Sequence, residues 1–250
     1  MTSPGIIFRG TRCQSFALNP SLLRKPYPSD AARLSKLENN LWSEFKIRSK
    51  QLLGHHVRNA WEALLVMQQH GLPTRLLDWS KSLAVGAYFA AKEWDDRTDA
   101  AVWILASRGL MDKTGESGVW ETIIGDPSIE PLGLRVDAEG LDAFNEQDPV
   151  VLRPDHVSPR IVAQRGVYTL HSFRLDAIEK LALQDRELHG DACFLHKVII
   201  PSDAKAGYLD AVSVVAGVTE EALFPDLDGF ARDFVDSQKR YAARPHNQSE

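Results

Sequence analysis

The sequence predicts an α+β fold, in which a helical N-terminal half packs on a mixed, mostly antiparallel β-sheet. Short runs of branched and aromatic residues from residue 100 onward are typical of strands. Between residues 30 and 54, apolar residues recur at the spacing of one buried helical face. They are Leu34, Leu37, Leu41, Phe45 and, less regularly, Leu52.

Local signals bound the N-terminal elements. Residues 5–10 predict a strand that ends at Gly10, and residues 19–24 predict a helical turn capped by Asn19. A second helix over residues 59–70 stops at Gly71 and Pro73. An extended piece follows, and Ser80 then takes the N-cap position of an apolar helix over residues 83–91, whose small side chains indicate close packing on a sheet.

The remainder of the chain is predicted to be rich in strands. Residues 107–149 carry little signal and resemble a loop. No repeat or linker is evident, so we expect one domain over residues 5–240 and a flexible tail over residues 241–250. The predicted later elements are strands at 100–106, 150–152, 166–171 and 194–200, helical turns at 203–207 and 219–223, and a terminal helix at 229–241.

Composition excludes several classes of protein. A net charge of -5 argues against a protein that holds nucleic acid through bulk charge, although Arg9, Arg12, Arg24 and Lys25 form a local basic group. The two cysteines make neither a disulfide framework nor a zinc motif, and we expect no metal. No signal peptide and no membrane-spanning run is apparent, so we expect a cytoplasmic protein without a membrane partner.

Polar residues concentrate between residues 70 and 80, just before the apolar helix. A helix N-terminus favours an anionic oxygen, Arg75 offers a planar donor fork for phosphate, and Ser80 offers a hydroxyl. Structural roles are an open alternative, with Ser80 as a cap, Arg75 paired with Asp78, and His70 bonded to a carbonyl. The polar members of this segment are His70, Thr74, Arg75, Asp78 and Ser80.

Two further positions suit a ligand. Arg9 ends a strand beside Gly10, where it can reach a phosphate with no bulky neighbour in the way; a structural ion pair is the alternative. Gln164 precedes a strand and can hydrogen-bond an amide or a ribose hydroxyl, or simply make a turn. Adjacent His55 and His56 point about 100° apart on a helix and cannot chelate one metal together.

With these residues in hand, the chain resembles the FRG domain family, named for a Phe-Arg-Gly signature that is Phe8-Arg9-Gly10 here. The most specific stretch is residues 67–80, with the string HGLPTRLLDWS, and it continues into residues 87–90. Weaker matches lie at residues 18–24, 160–169 and 217–229, so the resemblance spans about residues 6–235.

The order of these parts is similar to that of ADP-ribosyltransferases, which implies NAD as the substrate. In that fold, Arg9 on an early strand would hold the pyrophosphate. Ser80 would lie on a later strand that runs into the helix over residues 83–91. The resemblance assigns Arg9, Ser80 and Glu221 to catalysis, with Glu220 or Asp78 as the alternative carboxylate. It assigns these residues to NAD binding: Arg9, Gly10, His70, Thr74, Arg75, Asp78, Tyr88 and Gln164, with Tyr88 or Trp79 as the aromatic platform.

Two other functions remain open from the sequence. The same pocket suits a non-catalytic module that binds a nucleotide or a nucleic-acid end in a stress or phage-defence protein. A hydrolase using His70 and Asp78 for acid–base work is the third hypothesis. The acceptor of a transferase, whether nucleic acid or protein, is not readable from the sequence. Asp226 or Asp228 is expected to cap the terminal helix.

Overall fold

The structure is a computed structural model, and it describes residues 5–53, 60–94, 96–113, 122–123, 136–137, 140–141, 149–154 and 158–243. The strands are β1 (Ile6–Thr11), β2 (Leu76–Ser80), β3 (Ala100–Ala106), β4 (Thr122–Ile123), β5 (Val136–Asp137), β6 (Gly140–Leu141), β7 (Val150–Arg153), β8 (Gly166–Leu170) and β9 (Leu195–Ile200). The helices are α1 (Ala31–Leu53), α2 (Ala60–Gln69), α3 (Leu83–Ala91), α4 (Ser107–Lys113), α5 (Pro159–Ala163), α6 (Ala177–His189), α7 (Lys205–Ala216), α8 (Glu220–Leu223) and α9 (Leu227–Ala243).

The main sheet has the strand order β4-β7-β8-β2-β1-β3-β9. Its neighbours are antiparallel except for the two-residue β4, which pairs parallel to β7 at one edge. Strands β5 and β6 form a separate antiparallel pair. The α+β class and the mostly antiparallel sheet are therefore confirmed.

Strands β1 and β2 lie side by side near the middle of the sheet, but they pair only briefly. Strand β1 pairs with β3 along its whole length, whereas its register with β2 is the single pair Phe8 and Ser80. On its other side, β2 pairs with β8 along all five of its residues. The two central strands therefore separate beyond Phe8, and this separation opens a space beside Arg9.

Helix α3 lies directly across β1. A β-carbon added at Gly10 would lie 2.1 Å from the carbonyl oxygen of Gly86 and 2.4 Å from the amide nitrogen of Ala90. On the helix side, a β-carbon at Gly86 would lie 3.0 Å from that of Phe8. The expected close packing of this small-residue helix on the sheet is therefore confirmed, and Gly10 is required by it.

Apolar side chains fill both faces of the sheet. On one face, Ile7 and the inward residues of β2, β7 and β8 pack with Leu64, Leu110 and Ile178 from three helices. On the other face, Phe8 and Val102 pack with Ala87 and Ala90 of α3. The sheet is thus held between two layers of helices, and β1 with β2 is fixed at its centre.

Several local expectations need correction. Asn19 does not cap a helical turn: it exchanges two hydrogen bonds of 2.8 Å with Asp176, one to its carboxylate and one from its amide. Ser80 ends β2, and Ser82 is the N-cap residue of α3. The buried face of α1 includes Glu38, while Leu52 is 85% exposed.

The second half of the chain is more helical than its sequence predicts. Helices α4, α6 and α7 occupy stretches expected to be loop, unassigned or a short turn. Asp226 accepts a hydrogen bond of 2.7 Å from the Gly229 amide, so its expected capping of α9 is confirmed. His55, His56 and residues 244–250 of the predicted tail lie outside the described residues, and residues 241–243 belong to α9.

Candidate functional site

A cleft of about 420 Å³ opens where β1 and β2 separate. Its floor is formed by Phe8 and Arg9 of β1 and by Asp78 and Ser80 of β2, with α3 on one side. The other described side chains that line it include cations, acids and aromatic rings, namely Arg12, Arg24, Lys92, Arg160, Glu93, Phe16, Phe89, Trp79, Tyr168 and Phe224.

Arg9 bridges the two separating strands. Its Nη1 donates a hydrogen bond of 2.6 Å to the backbone carbonyl of Asp78 and lies 3.9 Å from the Asp78 carboxylate. The side chain is only 17% exposed, while that of Asp78 is 55% exposed. Among the described residues Arg9 has no other hydrogen-bond acceptor, so most of its donor fork stays available to a ligand.

Arg24 adds a second guanidinium to the same part of the cleft. Burial lowers the pKa of Arg9 to about 10; the Asp78 carboxylate opposes this shift and the nearby Arg24 adds to it. Burial also lowers the pKa of Arg24, again against the influence of Asp78. Asp78 is thus the carboxylate that acts on both guanidiniums, and it also accepts a hydrogen bond of 2.8 Å from the Gln68 amide.

The other described cations of the cleft each lie near a carboxylate other than Asp78, although Lys92 shares Glu220 with Arg232. Arg12 lies 2.9 Å from Glu93, and Arg160 lies 2.5 Å from Asp226. Lys92 lies 3.6 Å from the carboxylate of Glu220. Positive charge that is not balanced in this way is therefore concentrated at Arg9 and Arg24.

Aromatic rings form a wall of the cleft. Phe89 and Phe224 meet edge to face at 6.2 Å between ring centroids. Phe16 is 43% exposed, and the Arg12 guanidinium lies 5.4 Å from its ring centre. Such rings offer flat apolar faces to a base or to another planar group.

A buried polar chain lies behind Trp79. Its indole Nε1 donates to the Thr169 hydroxyl at 3.0 Å, and that hydroxyl lies 2.9 Å from Nε2 of His171. His171 is fully buried, and burial followed by the charge of Arg9 lowers its pKa to about 3. The imidazole is therefore neutral, and its Nδ1 has no hydrogen-bond partner in the described part of the chain.

The structure brings Arg9, Gly10, Asp78, Ser80 and Gln164 to the cleft. Ser80 is buried, and its hydroxyl donates to the Gln164 carbonyl at 2.7 Å while accepting from the Ser82 amide at 3.0 Å. The Gln164 side chain donates to the Leu223 carbonyl at 3.2 Å. These two side chains therefore link the end of β2 to α5 and α8 as well as lining the cleft.

Thr74 and Arg75 are buried structural residues. Arg75 is 1% exposed, its Nε donates to Glu38 at 2.8 Å, and its guanidinium lies 4.8 Å from the Phe173 ring centre. The Thr74 hydroxyl is hydrogen-bonded to Gln68 and to the Leu76 amide. Neither residue lines the cleft. The expected phosphate contact of Arg75 is replaced by an ion pair with Glu38 of α1, a helix that no spacing rule in the sequence connects to Arg75.

His70 is exposed and lines a different groove, together with Leu41, Phe45 and Leu72. The structure therefore does not bring His70 to the cleft that contains Asp78, and the pairing required by a His70 and Asp78 hydrolase is not formed there.

Tyr88 and the two late glutamates lie outside the cleft lining. The Tyr88 hydroxyl donates to Glu220 at 2.6 Å, and burial together with this carboxylate raises the pKa of Tyr88. Glu220 also lies 2.9 Å from Arg232. Glu221 is exposed and lines a shallow groove with Phe230. Among the described lining residues, Asp78 and Glu93 supply the carboxylates.

Several cleft residues were not identified as site residues from the sequence. Arg12 and Arg24 stood in the local basic group, and that clustering was the available signal. Phe224 lay within the weaker family match at residues 217–229, whereas Lys92, Glu93 and Phe16 had no signal, because only packing brings them to the cleft.

Fold and site together define an α+β protein with a cationic, aromatic-walled cleft at the centre of its sheet. Residues 4–99 match the model of the FRG domain. The matched range includes Arg9, Arg24 and Asp78, whereas Arg160, Gln164 and Phe224 lie beyond it. No curated protein and no solved structure matches the chain. No described helix has both the length and the apolar character needed to cross a membrane.

Proposed function

We propose that the cleft binds a nucleotide and that Arg9 and Arg24 hold its phosphates. The observation that carries this proposal is that Arg9 and Arg24 both line the cleft, where Asp78 is the carboxylate that acts on both of them. The other described cations of the cleft lie nearer to other carboxylates. Surplus positive charge in a concave site attracts an anion, even in a protein with a net charge of -5. Arginine forks match phosphate oxygens in geometry as well as in charge.

The walls of the cleft suit the rest of a nucleotide. Its volume of about 420 Å³ lies within the usual range for small-molecule sites. The exposed Phe16 ring offers a stacking face near the cationic end of the cleft. A nucleotide with its phosphates at Arg9 and Arg24 and its base against Phe16 would contact both the cationic part and the aromatic part of the cleft.

Calorimetric titration with ADP, NAD, pyrophosphate and a 5′-phosphorylated oligonucleotide tests the proposal. Arg24→Gln should weaken binding about tenfold, because it removes a charge-assisted contact from an exposed position. Arg9→Lys keeps the charge but loses the fork and should also weaken binding. Arg108→Gln, an exposed substitution outside the cleft, is the matched control. Wild-type protein that binds none of these ligands would refute the proposal.

Phe16→Ala tests the contact with the base separately from the contacts with the phosphates. It should weaken ADP and NAD by about 1–3 kcal/mol of stacking energy and leave pyrophosphate affinity unchanged. Equal losses for ADP and pyrophosphate would show that Phe16 supports the phosphate end of the cleft instead of the base.

A second candidate function is NAD-dependent ADP-ribosyl transfer, of the kind found in bacterial toxins and defence proteins. It is favoured by the half-exposed Asp78 carboxylate beside Arg9. Loss of nicotinamide leaves positive charge on the ribose, and a fixed carboxylate stabilises that charge in the transition state. We propose Asp78 for this role, since Glu220 and Glu221 lie outside the cleft lining.

Release of nicotinamide from NAD, measured with and without RNA, DNA and protein acceptors, tests this second function. Asp78→Asn should abolish release while NAD binding is retained, because the substitution keeps the size and polarity of the side chain. Nucleotide binding without any release of nicotinamide would leave the non-catalytic binding module as the function of the cleft.

A further inference from the structure

Gln68 joins α2 to Asp78 at the floor of the cleft. It lies on the last turn of α2, and its side-chain amide donates a hydrogen bond of 2.8 Å to Oδ2 of Asp78. Both residues line the cleft. The same Oδ2 lies 3.9 Å from Nη1 of Arg9, which donates instead to the backbone carbonyl of Asp78 at 2.6 Å. The carboxylate is therefore bonded to Gln68 and stops short of a hydrogen bond with the neighbouring guanidinium.

The Thr74 hydroxyl fixes which way the Gln68 amide points. Thr74 is buried, and its hydroxyl accepts from the Leu76 amide at 3.1 Å and donates to the side-chain carbonyl oxygen of Gln68. Because that oxygen is occupied, the amide nitrogen of Gln68 is the group that faces Asp78. An ionised carboxylate only accepts hydrogen bonds, so turning the amide round would bring two acceptor oxygens together. Gln68 is thus held as a donor to Asp78.

The backbone of Thr74 is itself anchored. Its amide donates to the Ser21 hydroxyl at 3.2 Å, and its carbonyl accepts from the Leu22 amide at 3.2 Å. Arg24, which lines the cleft, follows directly after these contacts in the chain. The segment that carries Arg24 into the cleft therefore also fixes the residue that orients Gln68.

We propose that Gln68 is a positioning residue that holds the Asp78 carboxylate off Arg9, so that the Arg9 guanidinium stays available to a phosphate. The inference rests on the proposed binding of phosphate at Arg9. Without the Gln68 amide, the half-exposed carboxylate would close the gap of 3.9 Å to the guanidinium. A carboxylate and a phosphate use the same planar donor fork, so a carboxylate bonded to Arg9 competes with the ligand.

Calorimetric titration with pyrophosphate tests the positioning role. Gln68→Met removes the amide at nearly the same side-chain length and should weaken pyrophosphate binding about fivefold, because Asp78 then pairs with Arg9. Asp78→Asn removes the competing charge, so adding Gln68→Met to it should cause no further loss. Gln51→Met, at an exposed residue of α1 outside the cleft lining, is the matched control.

The pair of backgrounds distinguishes positioning from support of the fold. Circular dichroism checks that each variant folds. Equal losses from Gln68→Met with and without Asp78→Asn would show a purely structural role for Gln68 and overturn the proposal. Unchanged pyrophosphate affinity in Gln68→Met protein would overturn it as well.

A crystal structure of the unliganded Gln68→Met variant separates this inference from the proposed function. The Asp78 carboxylate should lie within about 3.2 Å of the Arg9 guanidinium in that variant. A carboxylate that stays in place or turns away from Arg9 overturns the inference, whether or not the wild type binds a nucleotide. The expected movement, combined with wild-type protein that binds no pyrophosphate, would refute the proposed function instead, since Gln68 would still hold the carboxylate off Arg9.

Discussion

Gly10 of β1 and Gly86 of α3 cross at backbone contact, and a β-carbon at Gly10 would lie 2.1 Å from the Gly86 carbonyl oxygen. The glycine of the Phe-Arg-Gly signature is therefore fixed by helix packing. The preceding Arg9 is consequently held at a defined depth beside α3, where its guanidinium bridges to β2.

The first prediction concerns this crossing. Gly10→Ala should destabilise the protein by about 3 kcal/mol or more in urea unfolding, because the clash is with backbone atoms that cannot move independently. Gly207→Ala in α7 is the matched control, since a β-carbon there meets open space. It should raise stability by up to about 1 kcal/mol through helix propensity. Equal effects of the two substitutions would contradict the crossing.

The second prediction concerns the buried ion pair of Arg75 and Glu38. Glu38→Ala should destabilise the protein by about 3–5 kcal/mol, because it leaves the Arg75 guanidinium buried without its carboxylate. Replacing both, as Glu38→Leu with Arg75→Met, should recover much of that loss. A double variant as unstable as the sum of its single variants would show that the pair is not a coupled unit.

The third prediction concerns the buried imidazole of His171. Its folded pKa of about 3 lies below the unfolded value of 6.5, so the unfolded chain binds more protons between these values. The contribution of His171 to the free energy of unfolding is therefore fully present above about pH 6.5. It falls as the pH is lowered, by about 2 kcal/mol at pH 5.

His171→Gln should remove this slope between pH 5 and pH 6.5, as measured by urea unfolding at several pH values. Carboxylates with lowered pKa values, such as Asp185 and Asp226, act at lower pH. Burial raises the pKa values of Glu38 and Glu179 toward this window, so the difference between wild type and His171→Gln is the measured quantity. An NMR titration of the His171 ring near pH 6.5 would contradict its burial.

The fourth prediction separates structure from catalysis at Glu220. Tyr88→Phe should cost about 1–3 kcal/mol of stability, because it leaves a buried carboxylate oxygen without its hydroxyl donor. Tyr208→Phe on the exposed part of α7 is the control. Glu220→Gln should likewise lower stability while the folded fraction keeps its nucleotide affinity. Folded Glu220→Gln protein that has lost a nicotinamide-releasing activity of the wild type would instead assign the catalytic carboxylate to Glu220.

Local patterns predicted those elements whose signals lie within the element itself. The helix over residues 30–54, the strand at residues 100–106 and the cap at Asp226 are observed as expected, since periodicity and capping act over a few residues. Helix α6 was missed although Ile178, Leu181 and Ala182 recur at helical spacing, whereas α7 has only a weak periodic pattern and was predicted as a short turn. Arg75 was assigned to phosphate since its partner Glu38 lies on a different helix, and no spacing rule connects them.

The sequence by itself determined the α+β class and the resemblance to the FRG domain that the match over residues 4–99 supports, and it named Arg9 and Asp78 as candidate site residues. Tertiary structure alone decided which polar groups face the cleft and which are used for stability. The physical reason is that buried charges require partners, and partners such as Glu38 for Arg75 or Arg24 beside Arg9 come together only when distant segments pack.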